Sequence, residues 1–248
     1  MKQKFALIIL SVIIVGCASN GTCSDYKPIP DPLEKYNRFM FKVNMKIDKT
    51  FIRPITVGYT YIPYPIRAPI NNFFNNLRDF ISLANDILQL KGMATMQTTM
   101  RISLNSVVGL AGLIDVASSL GLPQQKNSFG KTLQVYGWQN SSYFVIPLLG
   151  PSTIRDTIGL VPDVYFNPTW YLISDNYINV ALYIVNLIDI RSKFLDIDQE
   201  LEKSSLDLYT TVRDSYLQSV HQETSRGDVV NINDFLSEES SPESSIKN

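Results

Sequence analysis

The chain is poor in the residues that build metal centres and hydrolytic sites. Its 248 residues include two cysteines, Cys17 and Cys23, and one histidine, His221. Four Cys/His ligands cannot be gathered from that set, so a structural zinc site is not expected. His221 stands beside a polar tail where a Ser-His-Asp arrangement has no preorganised pocket, and it reads as a solvated surface histidine. Charge is scarce as well. Charged residues make up 18 % and the formal net charge is −1, against roughly 25 % charged in typical domains. With no basic field, nucleic acid is not an expected partner. So few charges leave limited means of solvating a surface, and a hydrophobic content of 45 % points to burial in a partner or a membrane. Gly130-Lys131-Thr132 superficially looks like the end of a phosphate-binding loop, but the first glycine that motif requires is Gln125 here, and the loop is rejected.

What is present begins at the amino end. Lys2 and Lys4 precede FALIILSVIIV, and Gly16-Cys17 follows. A basic start, a short apolar run and a small residue before a cut describe a secretory signal. The apolar run is about half of the ~20 residues a spanning helix needs, which argues against an uncleaved anchor. Ile14-Val15-Gly16-Cys17 resembles a bacterial lipobox. That resemblance implies cleavage between Gly16 and Cys17, with S-diacylglycerol and an N-acyl chain on Cys17. Several acyl chains hold stably where one binds only reversibly. Ala18-Ser19, with no Asp after the cysteine, resembles an outer-membrane sorting signal. The expected organisation is a signal peptide over 1–16, a flexible tether over 17–30, one helical domain over 31–218 and a disordered polar tail over 219–248.

Within the domain the periodicity is helical. Asp31–Ile47 has start chemistry, with Asp31 as N-cap, Pro32 at N1 and Glu34 at N3. Prolines 63, 65 and 69 then break regular structure, and a helix is expected from Ile70 to about Leu90. Its second half is apolar around a narrow polar stripe of Ser82, Asn85, Asp86 and Gln89. Tyr177–Ile190 repeats the design with Asn179, Asn186 and Asp189. A soluble surface helix shows the reverse pattern. Two readings fit: a protein core in which these polar groups pair internally, or apolar faces against lipid with the stripes turned to a water-filled path. A further amphipathic helical region follows over 191–218.

The most unusual stretch is Phe129–Gly159, FGKTLQVYGWQNSSYFVIPLLGPSTIRDTIG. Glycines 130, 137, 150 and 159 and prolines 147 and 151 interrupt aromatic and branched residues, and Arg155-Asp156 closes the run. It reads as a tightly turned, rigid connector between helices, with Arg155-Asp156 as a local ion pair or capping chemistry. The order FGxTL…YG…Y…PLLGPSTxRD resembles the MlaA/VacJ family of outer-membrane lipoproteins. DPLExxNRxMFxxN, with Asn37 and Arg38, and Arg53-Pro54 continue the match. So do RxxxN…GxxGxIDVA, with Arg101, Asn105 and Asp115, and VRxxY at Val212–Tyr216. The matched motifs run in order through nearly all of 31–218.

The resemblance implies a mainly α, single ring-like helical domain embedded in the outer membrane, with Gly/Pro-rich connectors and an amphipathic central channel. It implies no catalysis and no cofactor. The implied work is removal of mislocalised phospholipid from the outer leaflet and its delivery to a soluble periplasmic lipid carrier, in company with a trimeric porin. Ser82, Asp86, Gln89, Asn179, Asn186 and Asp189 are then expected in the channel wall. Asn37, Arg38, Arg53, Pro54, Arg101, Asn105, Asp115, Gly130, Gly137, Gly150, Arg155 and Asp156 are expected to hold the fold. The alternative is an envelope lipoprotein that scaffolds a porin complex without moving lipid. A hydrolase built on Asp196 and Asp198 is weak, because residues two apart on a helix face different ways.

Overall fold

The computed structural model describes residues 31–227. Gly16, Cys17, Cys23, the tether and the tail beyond 227 lie outside the described residues. The described chain is mainly helical, as expected. Helix α1 (Glu34–Ile47) runs through a π turn at Asp48–Ile52 into α2 (Arg53–Thr60). Then come α3 (Tyr64–Leu88), α4 (Gly92–Val107), α5 (Val116–Ser119) and α6 (Phe129–Val135). A hairpin of β1 (Tyr143–Ile146) and β2 (Gly150–Thr153) leads to α7 (Ile154–Phe166), α8 (Thr169–Leu172), α9 (Asn176–Ser192), α10 (Leu195–Ser204) and α11 (Leu208–Gly227). The last helix continues past Gln218, where the expected domain ended.

Three local expectations change. The first helix starts at Glu34 with Leu33 at its N-cap and no side-chain cap. Asp31 is occupied elsewhere, accepting hydrogen bonds from Asn37 at 2.8 Å and from the Tyr209 hydroxyl. Prolines do not delay α3 to Ile70: Pro63 is its N-cap and Pro65 lies in the first turn, where a missing donor costs little. Pro69 lies inside α3 and Pro162 inside α7. Finally, residues 129–159, expected as a tightly turned, rigid connector, hold regular elements. They form a short helix, an antiparallel hairpin and the start of a second helix.

The hairpin explains the two motif asparagines of α1. Tyr143 pairs with Thr153 and Ile146 with Gly150, which leaves the other edge of β1 unpaired by strand. Asn37 and Asn44 sit seven residues apart on one helix face and supply the missing edge. Asn37 donates to the Tyr143 carbonyl at 3.0 Å and accepts from the Val145 N–H at 2.9 Å. Asn44 donates to the Ile146 carbonyl at 2.9 Å and accepts from the Leu148 N–H at 2.8 Å. Each amide thus presents a peptide-like donor and acceptor to a sheet edge that would otherwise be stranded. Tyr143, Tyr209, Tyr216 and Phe41 cluster beneath it.

Helices α6 and α7 cross closely enough that only glycine fits. A Cβ on Gly130 would lie 2.3 Å from Asp156 Oδ1, and one on Gly159 would lie 2.4 Å from the Gly130 nitrogen. Gly137 and Gly150, at either side of β1, hold φ of 108° and 91°. Pro54 falls in the first turn of α2.

The distribution of side chains is inverted. Among the described residues, fully buried polar and charged side chains outnumber fully buried apolar ones. Large apolar side chains are instead exposed along α7 and α9, including Val161, Val164, Ile178, Val180, Tyr183 and Ile184. Leu90, Leu110 and Leu148 are exposed at turns in left-handed backbone, with φ of 56°, 54° and 67°. Leucine pays for that conformation, and none of the three recovers it by burial. No helix among the described residues is long and apolar enough to cross a membrane.

Candidate functional site

Helix α3 is the axis of the polar interior, and its faces differ. On one face Asp79, fully buried, meets Arg101 of α4, with Nε to Oδ2 at 3.2 Å. The same guanidinium donates to Ser118 Oγ at 3.1 Å and to the Leu122 carbonyl, and lies 3.5 Å from Asp115. Gln124 donates to the other Asp79 oxygen at 2.7 Å. Burial pushes the Asp79 carboxyl up, and Gln124 and Arg101 oppose it. Asn105 donates to Asp115 at 3.1 Å and accepts from the Ala117 N–H at 2.9 Å. The RxxxN and IDVA motifs are therefore two halves of one closed node. Arg101 is the partner of Asp115 that sequence spacing could not supply.

The stripe of Ser82, Asp86 and Gln89 faces protein. Ser82 Oγ accepts from the Asn127 N–H at 3.0 Å. Asp86 accepts from the Thr98 hydroxyl at 2.8 Å and from Asn127 Nδ2 at 2.7 Å. Gln89 donates to Asn127 at 2.9 Å and to Thr132 at 2.8 Å. Asn85 joins Thr132 and Asp163, at 2.8 and 2.9 Å. Ser82 and Asp86 are 0 and 2 % exposed. Their hydrogen-bond partners are protein groups. Apolar helix exteriors drive polar groups together, and here the segment 127–132 supplies the partners.

The second stripe divides. Asp189 of α9 is held by the Tyr59 hydroxyl at 3.0 Å, Asn71 Nδ2 at 2.7 Å and Lys193 Nζ at 3.1 Å. Asn179 and Asn186 instead line a cavity between α3 and α9, with Asn167 and Thr169 at one side. The remaining wall is Phe74, Leu77, Arg78, Ile81, Leu182 and Tyr183. Asn179 donates to the Ile173 carbonyl at 2.9 Å, while its buried Oδ1 has no hydrogen-bond partner. The cavity measures about 80 Å³.

Arg78 was not singled out from sequence. It follows Leu77 and precedes Asp79, and nothing in periodicity separates it from Arg67 or Arg101. Both carboxylates that act on it, Asp79 and Asp189, already hold other donors. Among the described residues Arg78 forms no hydrogen bond or ion pair. Burial lowers its affinity for its proton, and the charges of Asp79 and Asp189 oppose that.

The other motif residues serve connections. Arg38 pairs with Asp207 at 2.8 Å and stacks over Tyr209, and Arg53 reaches Glu202 at 3.6 Å. Arg155 is buried and bonds Asp156 at 3.0 Å, while the Asp156 N–H is capped by Thr153 Oγ1 at 3.1 Å, so the pair is both an ion pair and cap chemistry.

A profile of the MlaA lipoprotein family matches residues 29–223. The chain belongs to the MlaA lipoprotein family. An Escherichia coli K12 relative, the intermembrane phospholipid transport system lipoprotein MlaA, is 34 % identical over 88 % of this chain and 87 % of its own length. The Haemophilus influenzae protein of the same name is 32 % identical over 100 % of this chain and 99 % of its own. A solved MlaA-like structure, reported under the words "Structural basis for maintenance of bacterial outer membrane lipid asymmetry", superposes with a TM-score of 0.68. It is 34 % identical in sequence, with 77 % of this chain and 96 % of that chain covered.

Proposed function

We propose that this MlaA-family chain is an outer-membrane lipoprotein of a Gram-negative bacterium that removes phospholipid from the outer leaflet and passes it toward the periplasm. The observation that carries the reading is the inverted side-chain distribution around a cavity lined by both polar and apolar groups. Exposed apolar faces on α7 and α9 suit an apolar surrounding, where polar groups turn inward. A phospholipid needs a polar path for its headgroup beside apolar ground for its tails, and the α3–α9 region offers both. The transfer makes and breaks no bond, so it asks for no catalytic group. In this reading Cys17 carries the acyl anchor, the helices ring the path, a trimeric porin seats the domain and a soluble periplasmic carrier receives the lipid.

The porin-scaffold reading draws support from a specific feature: the Ser82–Gln89 seam is paired with protein groups. The two readings part in cells. Outer-leaflet phospholipid, labelled with a membrane-impermeant amine reagent, should rise on loss of the protein. It should return with the wild type and stay high with Cys17→Ala. No rise on loss, with the porin complex destabilised instead, would favour the scaffold.

A further inference from the structure

We infer that Arg78 is the phosphate-binding residue of the α3–α9 cavity and receives the headgroup of a phospholipid. This rests on the transport reading and adds to it a ligand group and a residue. Arg78 is half-buried and lines the wall with Phe74, Leu77 and Ile81, where partial burial disfavours its charge and an arriving anion would offset that. The neighbouring carboxylates do not: Asp79 is held by Arg101 and Gln124, and Asp189 by Tyr59, Asn71 and Lys193. A second observation lies in the same wall. Asn179, 6 % exposed, has an Oδ1 with no donor, which suits the ammonium or hydroxyl end of a headgroup. Arginine's planar fork matches phosphate oxygens in pairs.

Size selects the part of the ligand. A cavity of about 80 Å³ is well below the roughly 300–1,000 Å³ of sites that enclose a drug-sized molecule. It takes a headgroup and leaves the acyl chains outside. Tyr183, which lines the cavity and is half exposed, provides apolar ground there.

The test uses the full chain, purified and held in amphipol, with three probes measured by calorimetry. These are dihexanoylphosphatidylethanolamine, dihexanoylglycerol, which lacks the phosphate, and inorganic phosphate. The wild type should bind the phospholipid most tightly. Arg78→Leu should weaken phospholipid binding roughly tenfold or more, the scale of a charge-assisted contact, and leave dihexanoylglycerol unchanged. Arg78→Lys should fall between. Equal phospholipid affinity in wild type and Arg78→Leu would overturn the assignment. If Arg78→Leu also restored outer-leaflet lipid to normal in cells, transport itself would stand without it. Inorganic phosphate bound as tightly as phospholipid, and lost with Arg78, would make this a free-anion site and overturn the headgroup assignment. No binding of any probe by the wild type, together with no rise of outer-leaflet lipid on loss of the protein, would remove both.

Discussion

Two arginines near one helix have opposite fates. Arg101 enters the α3–α4 node and is closed in by Asp79, Asp115, Ser118 and the Leu122 carbonyl. Arg78, adjacent to Asp79 in the chain, points to another face and finds no such partner. One residue of offset on a helix turns a side chain by about 100°, from 3.6 residues per turn. That rotation separates structural charge from available charge. The closed face makes the fold, and the open face leaves chemistry to spare. A polar group in this interior is therefore a candidate for function only when its partners are already spent elsewhere.

The largest effect should come from breaking the closed face. Asp79→Ala leaves Arg101 buried without its main counter-charge, and removing one member of a buried pair costs about 3–5 kcal/mol. Chemical unfolding in detergent should show a loss on that scale, or the chain should fail to accumulate. An unchanged midpoint would mean that Asp115 alone satisfies Arg101.

Asp86→Leu should come next. It strands the Thr98 hydroxyl and the Asn127 amide, at about 1–3 kcal/mol for each buried group left unpaired. The loss should appear as stability, measured in the same unfolding experiment. A fully stable Asp86→Leu that blocks lipid passage would place the stripe in the channel wall and erase the distinction between the two faces.

Arg78→Leu sharpens the comparison from the other side. With no internal partner to lose and a partly desolvated charge removed, its unfolding free energy should match or exceed that of wild type. A loss as large as that of Asp79→Ala would show that Arg78 is structural too.

The smallest effect belongs to an exposed pair far from α3. The hydrogen bond from Arg38, followed by that from Thr210, holds the Asp207 carboxyl below its ordinary value. A carboxyl depressed in the folded state stabilises above its unfolded value of about 3.9, and loses that contribution as pH falls through the folded one. The stability gap between wild type and Arg38→Gln should therefore be full at neutral pH and close on acidification below about pH 4. A gap that is the same at all pH values would assign Arg38's role to its stacking on Tyr209.

Much of the fold was legible because its signals are local. The 3.6-residue period, the polar stripes and the separated motifs all act within a turn or two of helix, and they identify a helical chain of this family. Less was legible where a side chain serves a distant backbone. Asn37 and Asn44 carry the motif, yet nothing near them announces a strand edge more than a hundred positions later. The hairpin itself was hidden by its Gly and Pro content, which marks turns more strongly than strands four residues long.

The sequence by itself determined that the chain is helical, charge-poor and built with polar groups on apolar helices, because periodicity and composition are properties of the chain alone. Only the tertiary structure decided which of those polar groups are spent. Ser82, Asp86 and Asp189 meet partners from other elements and become fold, while Asn186 and Arg78 line space. A stripe on one helix looks the same in either case, since the difference lies in what packs against it.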